Sequence, residues 1–157
     1  MTAKVENIFV TKVNREQPHE TATAVLQAGK GIVGDRYHER ALQLLASRDE
    51  VQANHISLIS KDELDAFLVR NSAEIDYADF RRNVLTSGID LYALIGKKFR
   101  LGGALCLGVE DCAPCAYLAA TVHCAVLPEL EKKAGLRAII LEGGELKIGD
   151  RITQTSD

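Results

Sequence analysis

The most reactive side chains of the sequence lie in the run Asp111-Cys112-Ala113-Pro114-Cys115. This run follows a segment with strand-like alternation and opens an alanine-rich apolar stretch of helical composition. Because proline is favoured in the first turn of a helix, Cys115 is predicted to lie at a helix start. The helix dipole and the free backbone amides there favour the thiolate over the thiol. Cys115 is therefore a candidate nucleophile or soft-metal ligand, the alternative being a small buried apolar side chain.

The remaining thiols leave other interpretations open. Cys112 and Cys115 could form a tetrahedral zinc site with His123 and Cys124, although adjacent His-Cys ligands are unusual beside the common two separated pairs. A thioredoxin-like redox pair shares the Cys-x-x-Cys spacing but needs a βαβ context that the sequence lacks. Thiolates suit zinc, copper and molybdenum carried by a dithiolene cofactor, so the spacing indicates a class of chemistry and no single metal. Cys106 is expected to alternate into the core.

A second group of residues is cationic and polar. Arg36 and His38 follow a glycine-rich turn, and Arg81, Arg82 and Asn83 are consecutive. Guanidinium groups match phosphate and carboxylate in a bidentate way, and glycine-rich backbone can add amide donors to the same anion. These residues could together hold a cofactor phosphate, and His38 could relay a proton near neutral pH. The alternative for each arginine is a solvated charge or a structural ion pair.

The elements that must position these residues are mostly short strands. Alternation and β-branched residues predict strands over Val5–Val13 and Thr21–Leu26, and a hairpin over Lys97–Val109. Ser60-Lys61-Asp62-Glu63 is a capping box that predicts a helix to about Val69. Turns and strands alternate in the C-terminal part. The pattern predicts a β-rich α+β fold with a barrel-like sheet and a few covering helices.

Composition restricts the class of protein further. The 157 residues, 46% of them hydrophobic, can bury one sizeable core, so a single domain over 1–157 is expected. A net charge of −3 with scattered cations argues against binding of a nucleic-acid polymer. No signal peptide or membrane-spanning apolar run is evident, so the protein is expected to be cytoplasmic, with no membrane partner and with reduced thiols.

Several motifs together resemble a known family. They are Gly31-Ile32-Val33-Gly34-Asp35-Arg36-Tyr37-His38, Arg81-Arg82-Asn83 continuing to Leu91, Leu94-Ile95-Gly96, Cys112-x-Pro114-Cys115, Gly135-Leu136-Arg137-Ala138 and Gly143-Gly144 through Gly149-Asp150. Their order and spacing resemble the MOSC family, named for the C-terminal domain of molybdenum cofactor sulfurase. The resemblance spans about residues 20 to 152 and is more specific than any one motif.

The resemblance implies a MOSC-type β-barrel with a cleft for the pyranopterin molybdenum cofactor (molybdopterin). It implies that Cys115 binds the metal. Reduction of a substrate at that metal would need a nearby proton donor, for which His38 and Asp111 are the candidates. The residues that the resemblance implies as cofactor contacts are Arg36, His38, Arg81, Asn83 and Arg137.

The leading hypothesis is an oxidoreductase that reduces a small N-hydroxylated substrate with electrons from a separate donor protein. The alternative is a sulfur (persulfide) or molybdenum-cofactor carrier that needs a sulfur-transfer partner. A third hypothesis is a non-catalytic interaction or small-ligand-binding domain. Pyridoxal phosphate is associated with the family through the aminotransferase-like partner of the full sulfurase, and this sequence has no fold for it. We expect no helical or ferredoxin-like addition of the kind that larger relatives use.

Overall fold

The computed structural model describes residues 3–11, 18–35, 38, 55–72, 75–112 and 135–155. The strands in these residues are β1 (Lys4–Val10), β2 (His19–Thr21), β3 (Thr23–Gln27), β4 (Gly31–Ile32), β5 (Ile56–Ser60), β6 (Val84–Ser87), β7 (Lys98–Leu101), β8 (Ala104–Asp111), β9 (Gly135–Glu142), β10 (Gly144–Lys147) and β11 (Ile152–Gln154). Helix α1 spans Lys61–Arg70, and two short 3₁₀ helices span Tyr77–Phe80 and Tyr92–Leu94.

Eight strands form one curled sheet in the order β11-β7-β8-β9-β5-β6-β1-β2. Neighbours are antiparallel except β5 and β6, which run parallel. The sheet curls until β1 meets the segment that enters β11. Val5 donates its backbone N–H to the Asp150 carbonyl at 2.8 Å and accepts from the Gly149 N–H at 2.8 Å, and Ile152 donates to the Ala3 carbonyl at 3.1 Å. The expectation of a strand-rich α+β fold with a barrel-like sheet is thus confirmed.

A second sheet of three strands, in the order β10-β3-β4, packs against the barrel interior. Its inward side chains Ala24, Leu26 and Leu146 join the core enclosed by the large sheet. That inner core also contains Ile8, Leu58, Val84, Phe99, Cys106 and Leu136. Strand alternation therefore sends one half of each strand into this core and the other half to the outer face.

A smaller apolar cluster lies on the outer face of the sheet, beneath α1. The Ser60 hydroxyl accepts the Glu63 backbone N–H at 3.2 Å, which caps the helix as its sequence predicts. Leu64 and Phe67 are buried, and the Phe67 ring meets the Phe80 ring edge-on with centroids 6.3 Å apart. Within the described parts of the chain, no helix is long and apolar enough to span a membrane.

A polar triad attaches the Tyr77–Phe80 turn to α1. The Tyr77 hydroxyl donates to Asp65 Oδ1 at 2.5 Å, and Lys61 Nζ lies 2.7 Å from Asp65 Oδ2. Burial raises the pKa of Asp65, but the hydrogen bonds from Lys61 and Tyr77 outweigh burial and hold that pKa below its usual value. The hydrogen bond to Asp65, followed by burial, raises the pKa of Tyr77. The triad fixes the turn that leads directly into Arg81 and Arg82.

Gly108 marks a point where two backbone segments nearly touch. The Gly96 N–H donates to the Gly108 carbonyl at 2.8 Å, and the Gly108 N–H donates to the Lys97 carbonyl at 3.0 Å. A Cβ atom at residue 108 would lie only 2.1 Å from the Leu94 carbonyl oxygen. The middle of β8 therefore needs a residue without a side chain, because rigid backbone occupies that space.

We expect Gly108→Ala to destabilise the protein by about 3 kcal/mol, as overpacking against backbone does. Denaturant unfolding would measure this loss. The control is Val109→Ala on the same strand, which removes methyl groups from a half-buried site and should cost about 1 kcal/mol. Equal losses in the two variants would contradict the tight crossing.

Candidate functional site

A row of polar residues crosses the outer face of the large sheet. It consists of Glu110 on β8, Arg137 on β9, Ser57 on β5 and Asn83 at the start of β6, and we call it the polar row. Glu110 pairs with Arg137, and Arg137 with Ser57. The Asn83 N–H donates to the Ser57 carbonyl at 3.1 Å. Directly paired residues on neighbouring strands share a face, and the neighbours of Ser57 within β5 belong to the inner core, so the row faces outward.

Asn83 forms the centre of this arrangement and is only 1% exposed. Its Oδ1 accepts the Ser57 backbone N–H at 3.0 Å and the Ser57 hydroxyl at 3.1 Å. Its Nδ2 donates to the Phe9 carbonyl at 3.3 Å and to Asp35 Oδ1 at 3.2 Å. A backbone N–H on one side and a carbonyl with a carboxylate on the other fix the amide orientation. The side chain thereby joins β1, β5 and the loop after β4.

The Asp35 carboxylate lies in the same buried network and is 1% exposed. Besides the Asn83 amide, its Oδ1 accepts the Thr11 backbone N–H at 3.0 Å. The Asp35 N–H in turn donates to the Ile32 carbonyl at 3.0 Å. Asp35 is therefore bonded to residues at the ends of three strands, β1, β4 and β6.

His38 lies three residues after Asp35 in the chain and is 8% exposed. Its Nε2 is 2.7 Å from Gln27 Oε1, so with that oxygen as acceptor the proton is on Nε2. Gly31 has a φ of +119°. A Cβ added there would lie 2.7 Å from the His55 carbonyl oxygen and 3.6 Å from the backbone nitrogen of His38. At Gly31 the first residue of β4 thus passes so close to the His55 backbone that only glycine fits there.

The arginines of this region come from two places in the sheet. Arg81 and Arg82 directly precede Asn83, and Arg137 lies two strands away on β9. Arg81 has a left-handed φ of +61°, and its Nη2 is buried. Arg137 is 31% exposed, with its Nε 3.8 Å from a Glu110 oxygen that is mostly solvated. Guanidinium groups around an outer sheet face can bind an anion.

Asp111 points away from the polar row. It pairs with Leu136, a member of the inner core, whereas Glu110 pairs with Arg137 on the outer face. The adjacent Cys112 is 3% exposed, and its N–H donates to the Gly135 carbonyl at 3.2 Å. The structure therefore brings Asn83 and Arg137 onto one face, with Asp111 on the other.

Several predicted residues lie outside the described residues, and their roles stay predictions. These are Cys115, Arg36, His123 and Cys124. In the ranges that the structure describes, no group of three or more His, Cys, Asp or Glu side chains could hold a metal ion.

Cys106 lies in the inner core and is fully buried. Burial raises the pKa of its thiol to about 12. At neutral pH it is a protonated apolar side chain with little nucleophilic character.

An open depression of about 510 Å³ lies elsewhere on the barrel. Its lining residues are Arg100, Gly102, Gly103, Glu145, Lys147, Asp150, Arg151 and Thr153. None of them is a sequence-predicted site residue, and the cations alternate with Glu145 and Asp150.

Sequence reasoning missed Ser57, Thr11, Gln27 and His55. Ser57 carried a usable signal, because it is a polar residue between apolar neighbours in a buried strand. His55 also begins that strand, and its Nδ1 accepts the Ile140 backbone N–H at 2.9 Å. Thr11 takes part through its backbone, so its residue type gives no signal.

These features define a strand-rich barrel with a buried polar network and with Arg137 on its outer face. A sequence model of the MOSC domain matches residues 47–153, about two thirds of the chain, and the chain belongs to the MOSC domain family. No protein of curated function matches it.

Solved structures show the same fold. The YuaD protein from Bacillus subtilis superposes with a TM-score of 0.72 at 20% identity, over 97% of this chain and 94% of that one. YiiM from Geobacillus stearothermophilus gives 0.68 at 15% identity, over 98% and 75% of the two chains. YiiM from Escherichia coli gives 0.69 at 16% identity, over 100% and 71%.

We expect Cys106 to resist alkylation in the native protein at pH 8, because its pKa of about 12 keeps it protonated and the core excludes the reagent. Iodoacetamide treatment followed by peptide mass spectrometry would measure modification at each cysteine. The same treatment in denaturant is the control and should modify Cys106 fully. Rapid native modification of Cys106 would contradict its burial.

We expect Gln27→Leu to remove the preference of His38 for the Nε2–H tautomer, because the acceptor at 2.7 Å is lost. Two-bond ¹H–¹⁵N spectra of the imidazole would report the change. Gln154→Leu on the exposed strand β11 is a matched control that should leave His38 unaffected. An unchanged tautomer in Gln27→Leu would show that Gln27 does not set it.

Proposed function

We propose that this protein binds the molybdenum cofactor beside the polar row and reduces N-hydroxylated compounds, with Cys115 as the protein ligand of the metal. One observation carries the proposal. The segment containing Arg36 and His38 and the segment containing Arg81 are far apart in sequence, yet the hydrogen bond from Asn83 Nδ2 to Asp35 Oδ1 joins them. Two motifs of the family thus meet at one place on the barrel.

The chemistry of the available donors fits a phosphate-bearing cofactor. Arg137 is half-exposed, and its contact with Glu110 is long and solvated, so that ion pair contributes little and an anion can replace it. Arg81 and Arg82 enter the same region at the start of β6, and Arg36 follows Asp35 directly. Their planar guanidinium groups match phosphate oxygens in pairs. In this proposal Arg36, Arg81 and Arg137 bind the cofactor phosphate.

Cys115 follows Cys112 by three residues, so covalent geometry alone limits their α-carbons to a separation of about 11 Å. Cys112 and Gly135 are hydrogen-bonded where the chain leaves and re-enters the sheet. Glu110 and Arg137 of the polar row are the strand residues two positions from this junction. Of the proposed phosphate-binding arginines, Arg137 is therefore the one whose strand begins at the junction from which Cys115 follows by three residues.

Reduction of a hydroxylamine to an amine consumes two electrons and two protons and releases water. When bound, the cofactor would supply the redox and oxygen-transfer chemistry. The chain would bind and orient the cofactor and hold a proton close to the substrate. His38 is the favoured proton donor, because Asp111 lies on the opposite sheet face. Electrons would come from a separate donor protein.

We expect Cys115→Ala to lose most of its molybdenum and its turnover of N-hydroxylated substrates when expressed in cofactor-producing cells, since the metal loses its only protein ligand. Elemental analysis, pterin fluorescence and a reductase assay would measure this, and circular dichroism would confirm the fold. Cys106→Ala is the control, because that buried thiol should leave the molybdenum content unchanged.

Zinc, or no metal, in both wild type and Cys115→Ala would contradict the proposal. A persulfide mass on Cys115, together with absent reductase activity in cofactor-loaded protein, would instead favour the sulfur or cofactor carrier.

A further inference from the structure

We propose that Asp35 is a positioning residue: its buried carboxylate, bonded to Asn83 and to the Thr11 backbone, fixes the loop after β4 against the sheet and thereby positions His38. The functional part of this inference rests on the proposed cofactor site. The positioning part concerns the protein alone and can be tested without any cofactor.

Two hydrogen-bond donors hold the Asp35 carboxylate. One oxygen, Oδ1, accepts both the Thr11 backbone N–H at 3.0 Å and the Asn83 amide at 3.2 Å. Thr11 directly follows β1, and Asn83 directly precedes β6, so both donors come from the main sheet. A buried carboxylate needs such donors, because burial without them is costly. These two hydrogen bonds therefore fix the position of the loop after β4 on the main sheet.

The side-chain amide of Asn83 makes four hydrogen bonds within the protein. Its two amide hydrogens bond to Phe9 and Asp35, and its oxygen accepts two hydrogen bonds from Ser57. An amide offers two donors and two acceptor positions, so this capacity is filled inside the protein. We therefore assign to Asn83 an indirect role, in which it holds Asp35, in place of the direct cofactor contact that the sequence suggests.

Asp35 lies between two other attachments of the chain, one at Gly31 and one at His38. The Asp35 N–H bonds to the Ile32 carbonyl, which closes a turn, and His38 follows three residues later with Nε2 at 2.7 Å from Gln27. Gly31 passes beside the His55 carbonyl with no space for a side chain. The segment is thus held before, at and after the turn. Releasing Asp35 frees the middle attachment and should displace both His38 and the proposed phosphate ligand Arg36.

Two substitutions separate the acceptor function of Asp35 from its mere presence. Asp35→Asn keeps an oxygen that can accept from Thr11 and Asn83, whereas Asp35→Ala removes it. Ser60→Ala is the matched control, because Ser60 is equally buried and its side chain also accepts a backbone N–H, in the cap of α1. The control should destabilise the fold without disturbing the loop.

The experiment has two readouts on the full-length chain. The first is the ¹⁵N signature of the His38 imidazole in cofactor-free protein, with amide hydrogen exchange over residues 35–38. The second is the pterin content of protein purified from cofactor-producing cells. We expect Asp35→Ala to lose the fixed His38 tautomer, to lose amide protection and to lose bound pterin. Asp35→Asn should retain all three, and Ser60→Ala should resemble the wild type.

An unchanged His38 signature and unchanged exchange in Asp35→Ala would overturn the positioning role, and so would the same loss in Ser60→Ala. If the loop loosens but pterin content stays at the wild-type level, the functional half of the inference is wrong. If the wild type itself contains no pterin, the proposed cofactor site fails, and the first readout still decides whether Asp35 positions the loop.

Discussion

The backbone hydrogen bonding of β1 is the constraint on which the rest of the structure depends. One edge of β1 pairs with β6, and the other edge bonds to two different parts of the chain. Its first residues bond to the segment entering β11, and its last residues pair with β2. The first contact joins the two ends of the curled sheet. At the other end of β1, the Phe9 N–H donates to the Asn83 carbonyl at 2.6 Å, so the strand that closes the barrel also anchors the polar network.

A β-bulge decides which acidic side chain faces the arginines. Gly108 pairs with Ala138 of the inner core, so regular alternation would also direct residue 110 inward. The register shifts between Gly108 and Glu110, and Glu110 instead pairs with Arg137 on the outer face. Asp111 then turns towards the core side. Asp111 was a candidate proton donor because it precedes Cys112 in the motif. No local sequence pattern reveals that the bulge turns Glu110 to the outer face and Asp111 to the core side.

Local sequence signals predicted the strands and the start of α1, but they could not predict hydrogen-bond partners that are distant in the sequence. Alternation indicated the strands and the Lys97–Val109 hairpin, and the capping box indicated where α1 begins, because these depend on neighbouring residues. Asn83 was recognised only through a motif, as a cofactor contact. Its side chain bonds to residues 26, 48 and 74 positions away, and such partners follow from sheet order and register. The family resemblance supplied the barrel but not these contacts.

The residue types within the site separate into those that packing explains and those that it does not. Position 83 faces two donors on Ser57 and two acceptors on Phe9 and Asp35, and an amide of asparagine length satisfies all four. No ligand is needed to explain it. Arg81 has a left-handed backbone because it caps the end of the Tyr77–Phe80 turn, where its N–H donates to the Ala78 carbonyl at 3.0 Å. This conformation costs a residue with a side chain about 1 kcal/mol. Arg137 remains half-exposed beside a weak partner. This exposure makes Arg137 a stronger candidate for ligand contact than Asn83.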